Sequence, residues 1–182
     1  MENVDKNLML ISVFSRAEIE RRVNELAAAI DAKYGEESLV AICVLKGAFI
    51  FFSDLVRKLT NPNLELDFVR LSSYGKSTES SGHVVFSKDA EIDIRGKHTL
   101  IVEDIVDSGQ TMEFLCDQFK ARRPKSIAIA SLVDKLERRI SGVKVDFPGF
   151  SLNKGFLVGY GMDYAEKYRT LPDICEIRWQ EN

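Results

Sequence analysis

A chain of 182 residues with 45% hydrophobic and 29% charged residues has the size and makeup of one globular domain with a substantial core. Its net charge of −3 and isoelectric point near 5.5 speak against non-specific nucleic-acid binding, which needs a basic surface. No segment approaches the roughly 18 apolar residues of a membrane span, and MENVDKNLML, with early acids and no long apolar core, does not read as a secretory signal.

Ser15-Arg16-Ala17-Glu18 fits a capping box, and Ile19, Val23, Leu26 and Ile30 mark the face of a helix ending near Gly35. Leu39 to Leu45 is an uninterrupted apolar run, hence a strand buried on both faces. Lys46-Gly47 closes it, and a helix follows with Ala48, Phe51, Phe52, Leu55 and Leu59 facing inward. The end of a buried parallel strand is where open α/β sheets bind ligands, although a plain turn with a solvated lysine explains the pair more simply. Leu64 to Leu71 alternates well enough for a third strand, carrying Arg70. Ser72 to Gly82 has no apolar periodicity and reads as a loop. His83 to Phe86, with Ala90, Ile92 and Ile94, would form the loop's far arm and its return to the sheet.

The most informative stretch is Thr99 to Thr111, TLIVEDIVDSGQT. Leu100-Ile101-Val102 fills a buried strand, Glu103-Asp104 follow where it should end, and a helical pattern begins at Thr111 with Met112, Leu115, Cys116 and Phe119 inward. A strand, a polar loop and a helix N-terminus make an anion site, because free N–H groups and the helix dipole point to one place. The N–H groups of Asp107, Ser108, Gly109, Gln110 and Thr111 could hold a phosphate monoester, with the Ser108 and Thr111 hydroxyls adding donors. Glu103 and Asp104, set back from it, could accept hydrogen bonds from a vicinal diol or help hold a divalent metal. A solvated loop with acids complementing a helix dipole is the competing reading of the same residues.

Ser126 to Val133 is a further buried strand, ending in Asp134-Lys135. Near the C-terminus stands FLVGYGMDY, from Phe156 to Tyr164, whose leading aromatic would on general grounds belong to the core. The final CEIRWQEN carries no pattern to which a role attaches. Cys43, Cys116 and Cys175 are scattered and odd in number, as reduced cytoplasmic thiols would be, and fit neither a disulfide frame nor a zinc site.

VEDIVDSGQT resembles the ribose-phosphate signature of the type I phosphoribosyltransferases, and the chain around it is more specifically similar to their hypoxanthine-guanine branch. The likeness runs from Leu39 to Arg169, with its motifs in family order. It implies an α/β fold: a twisted, mostly parallel sheet flanked by helices, with a small hood drawn mainly from residues 150–182 and also from the N-terminus, all within one domain of residues 1–182. The implied activity is purine salvage, the transfer of a 5-phosphoribosyl group from phosphoribosyl pyrophosphate to N9 of hypoxanthine or guanine, giving IMP or GMP.

By the same resemblance, Lys46, Gly47 and Arg169 bind pyrophosphate, and the Leu45–Lys46 peptide can be cis. Ser73-Tyr74 open a lid over the site. Lys135 bonds the purine O6, Phe156 stacks on the ring and Leu157 reads its edge through the backbone. Asp163 helps hold a metal, alongside Glu103 and Asp104, which also face the ribose. Asp107 faces purine N7 as the catalytic base or acceptor. Magnesium is implied by the charge of the departing pyrophosphate. A homodimer or homotetramer, with no nucleic-acid or membrane partner, completes the expectation. The competing readings are a dinucleotide-binding fold, disfavoured because neither G-x-G-x-x-G nor a Walker A loop is present, a transferase acting on xanthine or another base, and a nucleotide-sensing regulator that reads RNA.

Overall fold

The computed structural model describes residues 8–73, 84–137 and 139–179. Tyr74 of the expected lid, and His83, lie outside them. The chain begins with β1 (Leu8–Phe14) and α1 (Arg16–Tyr34). Ser15 caps α1 reciprocally: its hydroxyl accepts the Glu18 N–H at 3.4 Å, and the Glu18 carboxylate accepts the Ser15 N–H at 2.9 Å. Gly35, at φ 54°, closes the helix by donating its N–H to Asp31.

Six strands form the main sheet: β2 (Leu39–Leu45), β3 (Leu64–Ser73), β4 (Val84–Lys88), β5 (His98–Val106), β6 (Ser126–Lys135) and β7 (Phe147–Leu152). Their order is β4-β3-β2-β5-β6-β7, parallel throughout except for the antiparallel β3–β4 pair. Alternation along β2 divides the core. Leu39, Ala41 and Cys43 pack with α1 and with α2 (Phe49–Val56), while Val40, Ile42 and Val44 pack with Met112, Leu115 and Phe119 of α3 (Gln110–Lys120). Helices on both faces leave the strand ends as the place for polar chemistry.

A second sheet, in the order β1-β9-β8, joins the N-terminal strand to β8 (Phe156–Val158) and β9 (Ile174–Trp179). All its pairings are antiparallel. Asp173 fastens it to the start of α1, accepting the Arg16 N–H at 2.9 Å and the Ser12 hydroxyl at 3.0 Å. Leu157, Tyr160, Met162 and Ile174 enter the same core as α1 and α2.

Some boundaries differ from those read in the sequence. Ala90, Ile92 and Ile94 do not return to the sheet as a strand; β4 ends at Lys88, and Ile94 is buried against the α3 face. Two N–H groups, of Glu91 and Ile92, are satisfied instead by the buried Asp67 carboxylate at 2.7 and 2.8 Å. Leu59 lies past the end of α2 and is half-buried. Among the described residues no helix is long and apolar enough to cross a membrane.

Candidate active site

Of the site residues expected from the sequence, Lys46, Glu103, Asp104, Asp107 and Lys135 gather toward the C-terminal ends of β2, β5 and β6. Glu103 and Asp104 were expected where β5 stops, but β5 continues to Val106, so both acids are strand residues. Glu103 is buried there, and Asp104 is half-buried. Burial, with the Asp104 charge added, pushes the Glu103 carboxyl well above the usual carboxylate range. Burial raises the Asp104 carboxyl as well, against the lowering pull of its contact with Glu103 and of the Arg169 charge. Under them the Cys43 thiol, buried and facing two acids, is pushed up to about 12 and stays protonated.

The turn after β2 fits against these acids. The Leu45–Lys46 peptide is cis. A Cβ on Gly47 would fall 1.8 Å from an Asp104 carboxylate oxygen, so only glycine lets the turn approach. The Gly47 carbonyl in turn touches Gly161, whose φ of 104° and missing side chain admit it. Three separate chain segments therefore meet at Gly47.

After β5, the loop from Asp107 to Gly109 leads into α3, which starts at Gln110, one residue before the expected Thr111. Gly109, at φ 82°, is the N-cap and has no side chain with which to cap the helix. A hollow of about 130 Å3 faces this turn, lined by Glu103, Asp107, Ser108, Gly109 and Thr111. The Ser108 hydroxyl already accepts the Gln110 N–H, at 3.4 Å.

The loop is held from behind by residues to which the sequence assigned no role. The N–H groups of Ile140 and Ser141 donate to the Ser108 carbonyl at 3.1 and 3.2 Å. Arg139, with its side chain 13% exposed, pairs with Asp134. Its guanidinium also donates to the carbonyls of Val106, Asp107 and Val143 at 3.3, 3.2 and 2.9 Å. Arg139 is one of two adjacent arginines in LERR, residues 136–139, a segment without periodicity, and no local signal distinguishes it from a solvated charge.

A pocket of about 590 Å3 opens beside the loop, bounded by Asp104, Asp107, Lys135, Phe156, Leu157 and Asp163 among others. Lys135 was expected after its strand; it is instead the last residue of β6, and its ammonium donates to the Gly155 carbonyl at 2.7 Å. Phe156 is 43% exposed, at odds with a core role. Its ring meets Tyr164 and Trp179 edge to face, at centroid distances of 5.5 and 6.2 Å. Trp179 belongs to the C-terminal stretch in which the sequence showed no role.

Beside Asp163 the charged residues are engaged with one another. The Lys46 ammonium lies 3.0 Å from both carboxylate oxygens of Glu166. Arg169 donates to the Gly161 carbonyl at 2.8 Å, to Glu166 at 3.1 Å and to Asp163 at 2.8 Å. Asp163, Glu103 and Asp104, grouped in the sequence reading as metal ligands, do not close on a common point; among the described residues no three acidic, histidine or cysteine side chains do. Such a donor set still suits a metal held largely by substrate oxygens and water, with one or two carboxylates assisting. Burial chiefly raises the Glu103 and Asp104 carboxyls, and a nearby cation would stabilise their charged forms.

A family profile described as phosphoribosyl transferase domain matches residues 12–165. The hypoxanthine-guanine phosphoribosyltransferase of Bacillus subtilis is 46% identical over 166 residues, 91% of this chain and 92% of that protein. The hypoxanthine phosphoribosyltransferase of Salmonella typhimurium is 44% identical over 163 residues, 88% of this chain and 91% of its own. A crystal structure of a hypoxanthine-guanine phosphoribosyltransferase from Bacillus anthracis, with HEPES in its active site, superposes with a TM-score of 0.87 at 40% identity, covering 94% of this chain and 99% of the other.

Proposed function

The chain belongs to the phosphoribosyl transferase family, and from that premise we propose how its pocket works. It is a purine-salvage enzyme that transfers the 5-phosphoribosyl group of phosphoribosyl pyrophosphate to N9 of hypoxanthine or guanine, giving IMP or GMP and pyrophosphate. One observation carries this reading: the acids of β5, the Asp107–Thr111 loop, Lys135 and Phe156 come from distant parts of the sequence and line two adjoining hollows, with the Lys46-Gly47 turn packed against Asp104.

Backbone N–H groups from Asp107 to Thr111 and the Ser108 and Thr111 hydroxyls hold the 5′-phosphate at the start of α3, where the helix dipole favours an anion. Glu103 and Asp104 accept hydrogen bonds from the ribose hydroxyls. Phe156 stacks on the purine and Leu157 reads its edge through the backbone. The Lys135 ammonium donates to O6, leaving the Gly155 carbonyl to do so. A cation in that place accepts a 6-oxo group and rejects the 6-amino group of adenine, which would bring only donors. Asp107 faces N7 and takes up its proton, or shares it, as the base becomes the nucleophile. Lys46, Gly47 and Arg169 hold the leaving pyrophosphate, the arginine through its forked donors.

Glu103, Asp104 and Asp163 are the residues that would hold Mg2+, which when bound neutralises charge on the pyrophosphate. The small β1-β9-β8 sheet serves as the hood over the base, and the segment opened by Ser73-Tyr74 as the lid that keeps water out. We place the enzyme in the cytoplasm, in keeping with its three free cysteines, as a homodimer or homotetramer. Turnover tests the reading directly: Lys135→Met should lose discrimination between hypoxanthine and adenine while the protein stays folded, and an unchanged base preference would remove Lys135 from its role.

A further inference from the structure

The turn from Tyr164 to Lys167 puts a carboxylate among the cations of the site. Tyr164 and Lys167 exchange both backbone hydrogen bonds, at 3.2 and 3.0 Å, and the two residues between them, Ala165 and Glu166, are left-handed at φ 51° and 63°. The Glu166 N–H is fixed by Asp163 at 2.9 Å. This tight tip aims the Glu166 side chain at Lys46 and Arg169, which lie far from each other in sequence.

We infer that Glu166 is a built-in competitor at the pyrophosphate site: it occupies Lys46 and Arg169 before substrate arrives and must give them up to pyrophosphate. The inference rests on the assignment of those two cations to pyrophosphate. Arg169 keeps its bonds to Gly161 and Asp163 whether or not Glu166 is in place, so it stays oriented when the carboxylate leaves. Among the described residues Glu166 is the acid bonded to the Lys46 ammonium, so Lys46 must exchange one anion for another. Glu166 is well exposed and can swing into solvent without breaking the core. Pyrophosphate, with its larger charge, wins the exchange, but its apparent affinity is reduced by the fraction of protein in which Glu166 holds the cations. The same contact favours release once the reaction is over.

The test uses the full chain and its Glu166→Gln variant, which keeps side-chain length and the strain of the turn. Inorganic pyrophosphate in excess Mg2+ is titrated calorimetrically, and kcat and KM are measured for phosphoribosyl pyrophosphate and hypoxanthine. The variant should bind pyrophosphate about two- to tenfold more tightly, the span expected for exposed ion pairs. Its KM for phosphoribosyl pyrophosphate should fall by a similar factor while that for hypoxanthine stays put. Unchanged or weaker pyrophosphate binding would overturn the role of Glu166. Absence of turnover by the unsubstituted protein would instead overturn the reaction, and the titration would still report on Glu166.

Discussion

At the scale of single residues, Asp107 and Glu103 show how the same functional group is set to different tasks by its surroundings. Asp107 lines the pocket, on the loop itself, and Asp107→Asn should cut kcat by about 10²-fold or more, the usual contribution of a positioned acid or base, with GMP binding largely retained. Full activity in that variant would exclude it as the base. Glu103 is buried on β5, and its carboxyl is raised from an ordinary value near 4.5. Between that value and the raised one the folded protein binds more protons than the unfolded chain, so stability falls as pH rises through the window. Glu103→Gln removes this loss. The variant should melt at a higher temperature than the unsubstituted protein at neutral pH, with the gain vanishing toward pH 4, while turnover drops. A lower melting temperature at neutral pH would mean that the carboxylate is stabilised by partners outside this account.

At the scale of elements, two contacts hold the loops where the chemistry needs them. Gly47→Ala would drive a Cβ into the Asp104 carboxylate; the site must shift, at about 1–3 kcal/mol as for other overpacked positions, readable in urea unfolding. KM for phosphoribosyl pyrophosphate should rise with it. Arg139→Met leaves Asp134 buried without its partner, a change that costs about 3–5 kcal/mol. Adding Asp134→Leu should restore most of that stability but not turnover, because the carbonyls of Val106 and Asp107 still lack their donor. Recovery of turnover in the double variant would show that Arg139 serves stability alone. The central strands β2, β5 and β6 were legible as apolar runs because helices cover both their faces. The acids of β5 were misplaced beyond the strand end for the same reason: a buried strand is recognised by its apolar residues, and Glu103, a buried acid, breaks that rule. Arg139 and Glu166 were missed because one charge in a polar segment has no period, and its partners are set by tertiary contacts alone.

At the scale of the whole molecule, the two sheets share one core, and residues from both line the pocket. The main sheet follows from the alternation of apolar runs and helical faces. The small sheet does not, since β1 pairs with β9 at the other end of the chain and each exposes one face, as Met9 at 45% and Trp179 at 50% show. No local pattern announces such a pairing. Trp179, the chain's single tryptophan, is therefore a reporter of the base site: GMP binding should change its fluorescence, and Phe156→Ala should abolish that response while weakening GMP binding. The central claim is tested most directly by measuring pyrophosphate release from phosphoribosyl pyrophosphate and Mg2+ with hypoxanthine, guanine, xanthine and adenine supplied separately. Turnover with hypoxanthine and guanine and none with adenine is the predicted result; silence with all four bases, in protein that still binds GMP, would contradict the account and leave a nucleotide-sensing regulator in its place.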